Sequence, residues 1–302
     1  MIRPVSFRMN EQTAVNNYYQ HEIDDASAGK IQATALKEFD AFVDKLRSAG
    51  VRVIVVEDLL ESDTPDSIFP NNWVSFHRNG MVGVFPMFAP NRRLERREDI
   101  FDIIEKEGFE ISEIIDYSSA EADDIFLEAT GSIVLDRENH LAYCALSPRA
   151  DEELFIEFCE DFEYTPVVFT ANQSVAGIRK PIYHTNVMMC LGETFAVICL
   201  DSIDDKKEKK NVVSHLKQDG KEIIAITEQQ MHHFAGNMLQ VMGMGDRRYL
   251  AMSTAAHDSL SQLQLEKLKK HCEIVHSSLD TIETCGGGSA RCMMAEVFLP
   301  KG

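Results

Sequence analysis

The amino-acid sequence predicts an α/β propeller with five-fold pseudosymmetry, in which five strand–loop–hairpin–helix units surround a central cavity. Three observations predict this fold. A helix-like stretch followed by a short strand-like run occurs five times, and each run continues into a loop and a hairpin-like segment. The strand-like runs start at residues 51, 109, 164, 221 and 272, which are 58, 55, 57 and 51 residues apart. Repetition at a nearly constant period indicates a structure assembled from equivalent units.

The first helix and strand are predicted over residues 31–46 and 51–56. The apolar residues of the helix recur at the spacing of one helical face, namely Ile31, Leu36, Phe39, Val43 and Leu46. Gly50 is placed to end this helix, because glycine readily adopts the left-handed conformation just beyond a helix C-terminus. The run VRVIVV that follows has the β-branched composition typical of a strand.

The same succession returns four times along the chain. The predicted helices read EDIFDIIEKEG, DEELFIEFCEDFE, NVVSHLKQDG and SLSQLQLEKLKKH, and the strands that follow them start at Phe109, Tyr164, Lys221 and Cys272. Each strand is shorter than its helix, as in ordinary α/β segments. One such segment would be unremarkable in any α/β protein, but five in phase favour a closed ring.

Each predicted strand continues into a segment with two apolar runs. These segments read NNWVSFHRNGMVGVFP, EATGSIVLDRENHLAYCAL, HTNVMMCLGETFAVICL, GNMLQVMGMGDRRYLAMS and the shorter CMMAEVFLP. Turn-forming residues separate the apolar runs, for example at 78–80 and 191–193, as a hairpin requires. In a closed ring, the loops that precede the five hairpins meet at the axis.

The composition limits the classes of partner. The chain has 302 residues, of which 44% are hydrophobic, so it can bury a sizeable core. Nothing resembles an interdomain linker, and we expect a single domain over residues 1–302. Lys and Arg number 30 against 49 Asp and Glu, for a formal net charge of −19. Such a surface repels phosphate backbones and anionic lipid head groups, so nucleic acid and membrane are disfavoured as partners.

The sequence also predicts a cytoplasmic location. No apolar run approaches the roughly 18 residues of a transmembrane helix, and the start, MIRPVSFRMNEQ, lacks the apolar core of a signal peptide. The seven cysteines form no CxxC pair and no zinc-like spacing with histidine; they lie at 144, 159, 190, 199, 272, 285 and 292. We therefore expect no disulfide scaffold and no structural zinc site. His232 and His233 do not change this expectation, because adjacent residues do not easily share one ion.

Four polar residues occupy equivalent positions in the repeat. Asn72, Glu128, His184 and Cys292 follow the starts of their strands by 21, 19, 20 and 20 residues. In the predicted ring they point toward one cavity. A thiol beside an imidazole is what nucleophilic catalysis requires, because the thiolate attacks while the imidazole transfers protons. A carboxylate adds an orienting or acid–base group.

Cys292 has the local context of a nucleophile, although an intracellular cysteine is more often a small core residue. It follows GGGSAR, residues 286–291, a glycine-rich loop that we expect to be flexible and to reach solvent, where a ligand can approach the backbone. Arg291 is placed to stabilise a thiolate. Cys285 is interpreted as a packing residue, with redox pairing as the alternative. The loop does not bind phosphate in the P-loop manner, because no Lys-Ser/Thr pair follows its glycines.

These motifs resemble those of the guanidine-modifying, or amidinotransferase, superfamily of the pentein fold, over nearly the whole chain. GGGSARCMMAEVFLP is similar to the superfamily's glycine-rich loop with its catalytic cysteine, which implies that role for Cys292. The run YHTN at 183–186 is similar to the His-x-Asp motif, and FLE at 126–128 to the segment of the catalytic glutamate. The resemblance therefore implies catalytic roles for His184 and Glu128.

The resemblance also implies substrate-binding residues. FPNN at 69–72 is similar to the F-x-R-D motif, whose aspartate binds the substrate guanidinium, and LSPR at 146–149 resembles the S-E-R-T segment, whose arginine binds the α-carboxylate in arginine deiminases. The implied substrate contacts are Asn72, Asn186, Arg149 and Gly288. As a whole the pattern most resembles the citrulline utilization hydrolases, a citrulline ureidase branch.

The sequence departs from the guanidine pattern at two positions, because arginine deiminase-like members have aspartate where this chain has Asn72 and Asn186. A guanidinium is a planar cation with donors only, whereas a ureido group is neutral and has a carbonyl acceptor. A buried carboxylate pair would repel that oxygen, and losing the pair would leave an arginine charge uncompensated. The two amides therefore favour a ureido substrate. The alternative is that one asparagine is misaligned and that Glu128 alone neutralises a guanidinium.

The resemblance implies a cysteine-dependent hydrolase that cleaves citrulline to ornithine, carbon dioxide and ammonia, with a small amino acid as its partner. Such a mechanism needs no metal or organic cofactor. An arginine deiminase or dimethylarginine hydrolase is the nearest alternative, and an amidinotransferase, in which an amine replaces water, is less favoured. A non-catalytic pentein binding protein is the alternative of a different class, although it would not need Cys292, His184 and Glu128 together. The sequence leaves open whether the chain forms a homo-oligomer.

Overall fold

The computed structural model of the protein describes residues 1–23 and 27–302. The strands are β1 Ile2–Arg3, β2 Val56–Glu57, β3 Val74–Phe76, β4 Met81–Val84, β5 Glu113–Asp116, β6 Ile133–Asp136, β7 Leu141–Leu146, β8 Thr165–Thr170, β9 Asn172–Val175, β10 Ile178–Pro181, β11 Met189–Leu191, β12 Phe195–Ile198, β13 Glu222–Ala225, β14 Leu239–Met242, β15 Arg248–Ser253 and β16 Glu273–Ser277. The α-helices are α1 Glu11–Ala14, α2 Ala28–Ser48, α3 Asp99–Lys106, α4 Ala129–Ser132, α5 Glu152–Asp161, α6 Thr185–Met188, α7 Lys206–Gln218, α8 Glu228–His232, α9 Thr254–Ser259, α10 Gln262–Leu268 and α11 Asp280–Gly286.

Four three-stranded sheets repeat one topology, with the orders β3-β4-β5, β6-β7-β8, β11-β12-β13 and β14-β15-β16. In each sheet the first two strands form an antiparallel hairpin, and the third lies parallel to the second. A helix connects the second strand to the third, because a parallel pair cannot be joined by a tight turn. The connecting helices are α3, α5, α7 and, in the fourth sheet, α9 with α10. The five-unit α/β propeller predicted from the repeat is the fold of the protein.

The strand that begins each predicted unit completes the sheet of the preceding unit. For example, β5 pairs with β4 of the hairpin before it, with Val82 opposite Ile114. The structural unit is therefore hairpin, helix and strand. The predicted unit has the same period but begins one element earlier, at the strand that precedes the hairpin.

The fifth unit combines residues from both ends of the chain. β1 and β2 pair in parallel, with Ile2 opposite Val56, so β1 stands where the other sheets have their second hairpin strand. The predicted strand over residues 51–56 is wrong for residues 51–55. β1 offers only two residues for pairing, and the extra predicted length has no strand beside it.

The final hairpin-like segment, CMMAEVFLP at 292–300, forms no strand. It is nevertheless anchored in the ring, because Lys301 bridges Phe109 and Leu299 packs in one apolar cluster with the residues of β1 and β2. The prediction of a truncated fifth hairpin is thus wrong in its hydrogen bonding, although the segment lies in the unit to which it was assigned.

The long helix α2 shows why the predicted helices form. Its N-cap Ser27 accepts a hydrogen bond from Lys30 N, and Gly50 follows its end with a φ of 82°. The apolar face is buried, with Ala35, Phe39, Phe42, Val43 and Leu46 inside. Full burial of each such large side chain stabilises the fold by about 1.5–3 kcal/mol.

The same face of α2 packs in a cluster with residues of α11 and of the segment after it, and that cluster includes Phe69, Cys285 and Cys292. The loop before β3 and the loop after α11 therefore share a core. No helix within the described ranges is both long and apolar enough to cross a membrane.

Candidate active site

Three of the predicted site residues lie just before hairpins. Asn72 ends a short 3₁₀ turn two residues before β3. Glu128 and His184 occupy the N-terminal caps of α4 and α6, single-turn helices that run directly into β6 and β11. The three residues have equivalent positions because the units repeat, and in each unit the loop before the hairpin lies near the axis of the ring.

Hydrogen bonds join these loops to one another. Thr130 of α4 donates through Oγ1 to the carbonyl of Asn71 at 3.0 Å, and its own carbonyl accepts from Asn186 Nδ2 at 3.3 Å. Thr185 Oγ1 donates to the carbonyl of Ser132. The structure thus brings the loops of the first three units together.

Glu128 and His184 form a buried pair. His184 Nε2 lies 2.6 Å from Glu128 Oε2, and the two side chains are 2% and 0% exposed. Glu128 also accepts the backbone N–H of Phe88 at 3.0 Å. A carboxylate in these contacts accepts, so the hydrogen-bond network assigns the proton to Nε2 of His184. Nδ1 is then the ring nitrogen free to accept a proton.

Two buried arginines stabilise the charged form of Glu128. Nη1 of Arg149 and Nη1 of Arg92 lie 3.4 and 3.8 Å from Oε2. Burial alone would raise the pKa of Glu128, but Arg149, the His184 hydrogen bond and Arg92 together lower that pKa below its ordinary value. Burial lowers the pKa of His184 to about 4, against the opposing effect of Glu128. At neutral pH the pair is therefore a carboxylate and a neutral imidazole.

Gly131 allows the His184 ring and the Asn72 amide to approach the same backbone segment. A Cβ at this position would lie 2.9 Å from His184 Nδ1 and 2.3 Å from Asn72 Nδ2. Both distances are below normal contact, so no larger residue fits without displacing one of the two side chains.

Two amides contact the sulfur of Cys292. Asn237 Nδ2 lies 3.2 Å and Asn186 Nδ2 lies 3.6 Å from Sγ. Among the residues that the structure describes, His184 makes no hydrogen bond to this sulfur. The Glu128–His184 pair and the Cys292 thiol are thus two groups of one site, joined through Asn186 and the α4 loop.

The glycine-rich loop before Cys292 is packed, which corrects the expectation of a flexible loop that reaches solvent. Cys292 is only 3% exposed. Gly288 and Gly286 lie under the Phe69 ring, where added Cβ atoms would come within 2.9 and 2.7 Å of it. Gly287, with a φ of 62°, ends α11. The glycines are needed for close packing rather than for mobility, and substrate contact by Gly288 stays a prediction.

Within the described residues Arg291 makes no hydrogen bond to the Cys292 sulfur, and an electrostatic effect of Arg291 on the thiolate stays a prediction. Its Nη1 donates to the carbonyl of Met294 at 2.8 Å, and its Nη2 lies 3.2 Å from Glu296. The guanidinium is satisfied by the segment that follows it, so the polar neighbours of the sulfur are the two amides.

Arg92 fixes the orientation of the Asn72 amide. Its Nη1 donates to Asn72 Oδ1 at 2.8 Å, while its Nε and Nη2 each lie 2.9 Å from a carboxylate oxygen of Glu95. A guanidinium has donors only, so the amide oxygen must face it. Asn72 Nδ2 is consequently a buried donor with no acceptor among the described residues.

Arg149 lies in the site but is already engaged. Its Nη1 contacts Glu128, its Nε donates to Asn16 Oδ1 at 2.9 Å, and its Nη2 donates to the carbonyl of Thr13 at 2.9 Å. The guanidinium also stacks on the rings of Phe88 and Tyr183. The predicted contact with a substrate α-carboxylate stays a prediction, and it requires Arg149 to exchange one of these partners.

Two residues of the site were missed in the sequence. Asn237 follows Lys221, the start of the fourth strand, by 16 residues, a shorter interval than in the other units. It lies two residues before β14, as Asn72 lies before β3, so alignment on the hairpins would have found it. Arg92 lies outside the repeat in a 3₁₀ segment, and nothing in its local sequence indicates that it is buried.

The other cysteines pack as core residues among the described residues. All seven cysteines are free and buried, and Cys285 packs in the cluster under α2 as interpreted. Within residues 1–23 and 27–302, no group of three or more His, Cys, Asp or Glu side chains is placed to hold a metal ion.

A buried carboxyl group supports the loop that carries Cys292. Glu283 of α11 is 6% exposed and accepts a hydrogen bond from Ser289 Oγ. Burial raises the pKa of Glu283 from 4.5 to about 7. The folded state therefore binds this proton more tightly than the unfolded chain, and its contribution to stability, full below pH 4.5, is lost as the pH rises to about 7.

We expect Glu283→Gln to remove this pH dependence. A pKa difference of two to three units corresponds to about 3 kcal/mol in the free energy of unfolding. Urea unfolding at several pH values should show the parent losing about that much more stability than Glu283→Gln between pH 4.5 and 7. Glu105→Gln, at an exposed position, is the matched control. Parallel pH profiles for the parent and Glu283→Gln would contradict the prediction.

Comparison with known families gives one match over almost the whole chain. The family model described as N,N dimethylarginine dimethylhydrolase, eukaryotic, matches residues 3–299. No curated protein sequence matches the chain.

Several solved structures have the same fold. ArgZ, an arginine dihydrolase from the ornithine-ammonia cycle in cyanobacteria, superposes with a TM-score of 0.75 at 16% identity over 100% of this chain, which spans 40% of the length of ArgZ. The N-terminal domain of ArgZ bound to product gives a TM-score of 0.72 at 18% identity, covering 99% of this chain and 98% of that one. A dimethylarginine dimethylaminohydrolase adduct gives 0.62 at 15% identity, covering 87% and 90%.

Proposed function

This chain belongs to the N,N dimethylarginine dimethylhydrolase family, in the pentein or amidinotransferase superfamily, and is a cysteine-dependent hydrolase. Within this family we propose, from the orientation of the Asn72 amide, that it hydrolyses the ureido group of citrulline. The products are ornithine, carbon dioxide and ammonia. Cys292 is the nucleophile, His184 transfers protons, and Glu128 orients His184 and keeps its second ring nitrogen free to accept a proton.

The proposal depends on the orientation of the Asn72 amide. Arg92 occupies Oδ1, so the amide has only Nδ2 to offer a ligand, and that donor has no acceptor among the described residues. A guanidinium has five N–H donors and no acceptor, whereas a ureido group has a carbonyl oxygen. A buried donor that faces a group without acceptors would stay unsatisfied, at a cost of roughly 1–3 kcal/mol. This difference favours the ureido substrate.

The first half of the reaction uses the neutral imidazole. His184 Nδ1 accepts the proton of the Cys292 thiol, and the thiolate attacks the ureido carbon, so that a C–S bond forms and the carbonyl oxygen becomes an oxyanion. Asn72 Nδ2 donates to that oxyanion. The tetrahedral intermediate collapses with cleavage of a C–N bond, and His184 returns its proton to the departing nitrogen.

The second half of the reaction uses water. His184 accepts a proton from the water as the water attacks the S-acyl carbon, and the C–S bond breaks to release the thiol. Decomposition of the resulting carbamate and departure of both nitrogens give ornithine, carbon dioxide and ammonia from one citrulline and one water. The α-carboxylate of the substrate is assigned to Arg149, which would exchange Asn16 or Thr13 for it while Nη1 remains on Glu128.

A second candidate substrate is a dimethylated or unmodified arginine. The description of the family favours it, and the carboxylate of Glu128 could pair with a guanidinium. Against it, Glu128 already lies near two guanidinium groups, those of Arg149 and Arg92. A substrate guanidinium would add a third cation to this buried cluster, where the loss of hydration makes an unpaired charge costly.

The test compares three substrates under identical conditions. The purified protein is incubated separately with citrulline, arginine and dimethylarginine, and ornithine, citrulline, ammonia and dimethylamine are quantified. The proposal expects ornithine and ammonia to form from citrulline in equal amounts. If citrulline forms from arginine or from dimethylarginine, and no ornithine forms from citrulline, the second candidate is established instead. Cys292→Ala, prepared identically, measures activity from contaminating enzymes.

A further inference from the structure

Asn237 lies where the fourth unit reaches the axis of the ring. Its side chain is 0% exposed. The loop that carries it packs closely against the α6 loop, because a Cβ on Gly236 would lie 2.2 Å from the carbonyl oxygen of Val187. Phe234, at the start of this loop, has a φ of 61°, a left-handed conformation that aromatic residues rarely adopt. The surrounding structure therefore holds Asn237 in one place.

The amide of Asn237 contacts both the backbone and the side chain of Cys292. Its Oδ1 accepts from the N–H of Arg291 at 3.1 Å and lies 3.4 Å from the N–H of Cys292. These two donors fix which end of the amide is oxygen. Nδ2 is then directed to the carbonyl of Asn186 at 3.0 Å and to Cys292 Sγ at 3.2 Å.

We propose that Asn237 is a positioning residue for the nucleophile, which holds the Cys292 sulfur in place and donates a hydrogen bond that stabilises its thiolate. The inference depends on the proposed role of Cys292. Asn186 Nδ2 adds a weaker second donor at 3.6 Å, and Asn186 Oδ1 lies 3.8 Å from the sulfur. The two amides share a hydrogen bond, because Asn237 Nδ2 donates to Asn186 Oδ1 at 3.3 Å. With Asn237, each of the five units contributes at least one functional side chain to the site, and the third unit contributes both His184 and Asn186.

A hydrogen-bond donor to the Cys292 sulfur has its largest effect on the thiolate that exists before the sulfur attacks the substrate. A thiolate is an acceptor with a full charge, and hydrogen bonds to charged groups are roughly twice as strong as those between neutral groups. Arg291, the cation next in sequence, directs its guanidinium hydrogen bonds to Met294 and Glu296. Tyr183 is the neighbouring acid whose pKa is raised well above its usual range, by burial first and then by Cys292, so it stays neutral. Among the described residues, the two amides are therefore the groups that donate hydrogen bonds to the sulfur.

The test compares two replacements that a purely structural role would rank in the opposite order. Asn237→Asp keeps both acceptor contacts to the backbone but replaces the donor by a carboxylate oxygen, and Asn237→Ala removes the whole amide. We measure the rate of alkylation of Cys292 by iodoacetamide, by peptide mass spectrometry, together with kcat and KM for citrulline. Asn237→Ala should lower the alkylation rate and kcat about 10- to 100-fold, with KM changed less than about threefold. Asn237→Asp should lose more, because its charge repels the thiolate.

Ser202→Ala is the matched control. Ser202 is fully buried and donates to another cysteine sulfur, Cys199 Sγ, at 3.3 Å, so its loss removes a comparable hydrogen bond away from the site. Thermal unfolding of every variant separates loss of fold from loss of reactivity. Parent-like alkylation and kcat in Asn237→Asp would overturn the inference. If the parent does not cleave citrulline, but Cys292 alkylation still falls in both Asn237 variants, the proposed function fails and the inference stands.

Discussion

Replacing Cys292 by alanine is expected to lower the turnover of citrulline by at least about 10³-fold. Without the thiol no C–S bond can form with the substrate, and the covalent route is lost rather than weakened. Cys292 is 3% exposed and packs in the core under α2, so the variant should also lose a small amount of stability, about 1 kcal/mol for one buried atom. Ornithine release and the thermal midpoint measure the two effects separately.

Cys285→Ala is the control for this variant. Cys285 is also buried, 1% exposed, in the helix that leads into the same loop, so its replacement should cost similar stability and leave most of the activity. If Cys292→Ala retained more than a few per cent of parent turnover, or if Cys285→Ala lost activity to the same extent, the assignment of the nucleophile would be wrong.

Asn72→Asp is expected to lower kcat/KM for citrulline by roughly 10²- to 10³-fold, the usual effect of removing one donor to an oxyanion. The substitution is nearly isosteric. The new carboxylate would pair with Arg92 through Oδ1, the oxygen that already accepts from Arg92 in the parent. The side-chain nitrogen beside His184 and Gly131 would be replaced by a second carboxylate oxygen, an acceptor that repels the ureido oxygen. Arginine should be disfavoured less than citrulline by the same change.

The ratio of the two substrates is therefore the decisive measurement for Asn72→Asp. The steady-state kcat/KM for citrulline and the dissociation constant for arginine are measured in parent and variant. Asn211→Asp, an exposed change of the same charge on α7, controls for net charge. Unchanged citrulline kcat/KM in Asn72→Asp would mean that Asn72 does not bind the ureido oxygen, and the choice of substrate would lose its main support.

The repeat made much of the fold predictable. The hairpins, helices and strands of four units recur with similar apolar patterns because each unit buries the same faces, and residues in phase have to lie at equivalent places. This reasoning placed Asn72, Glu128 and His184 at the ends of the loops that meet at the axis. It also placed Cys292 with these residues around one cavity, and in the structure the Cys292 sulfur lies 3.6 Å from the side-chain nitrogen of Asn186, two residues after His184.

What could not be predicted depends on contacts between distant residues. The length of the strand at 51–56 is set by its partner β1, which pairs over only two residues. The orientation of the Asn72 amide is set by Arg92, and the packing of the glycine-rich loop is set by the Phe69 ring. A single sequence carries composition and period, but it does not show which buried group faces which.

Asn72, Glu128, His184, Asn237 and Cys292 come from five different units, with Asn72 early in the chain and Cys292 close to its last described residues. A nascent chain on the ribosome accordingly has no assembled catalytic group until the last unit has emerged and closed against β1 and β2. Before that, the imidazole of His184 has no thiol opposite it. On the proposed assignment, a proteolytic fragment that lacks any one of these units would lose one of these five side chains and should have no activity.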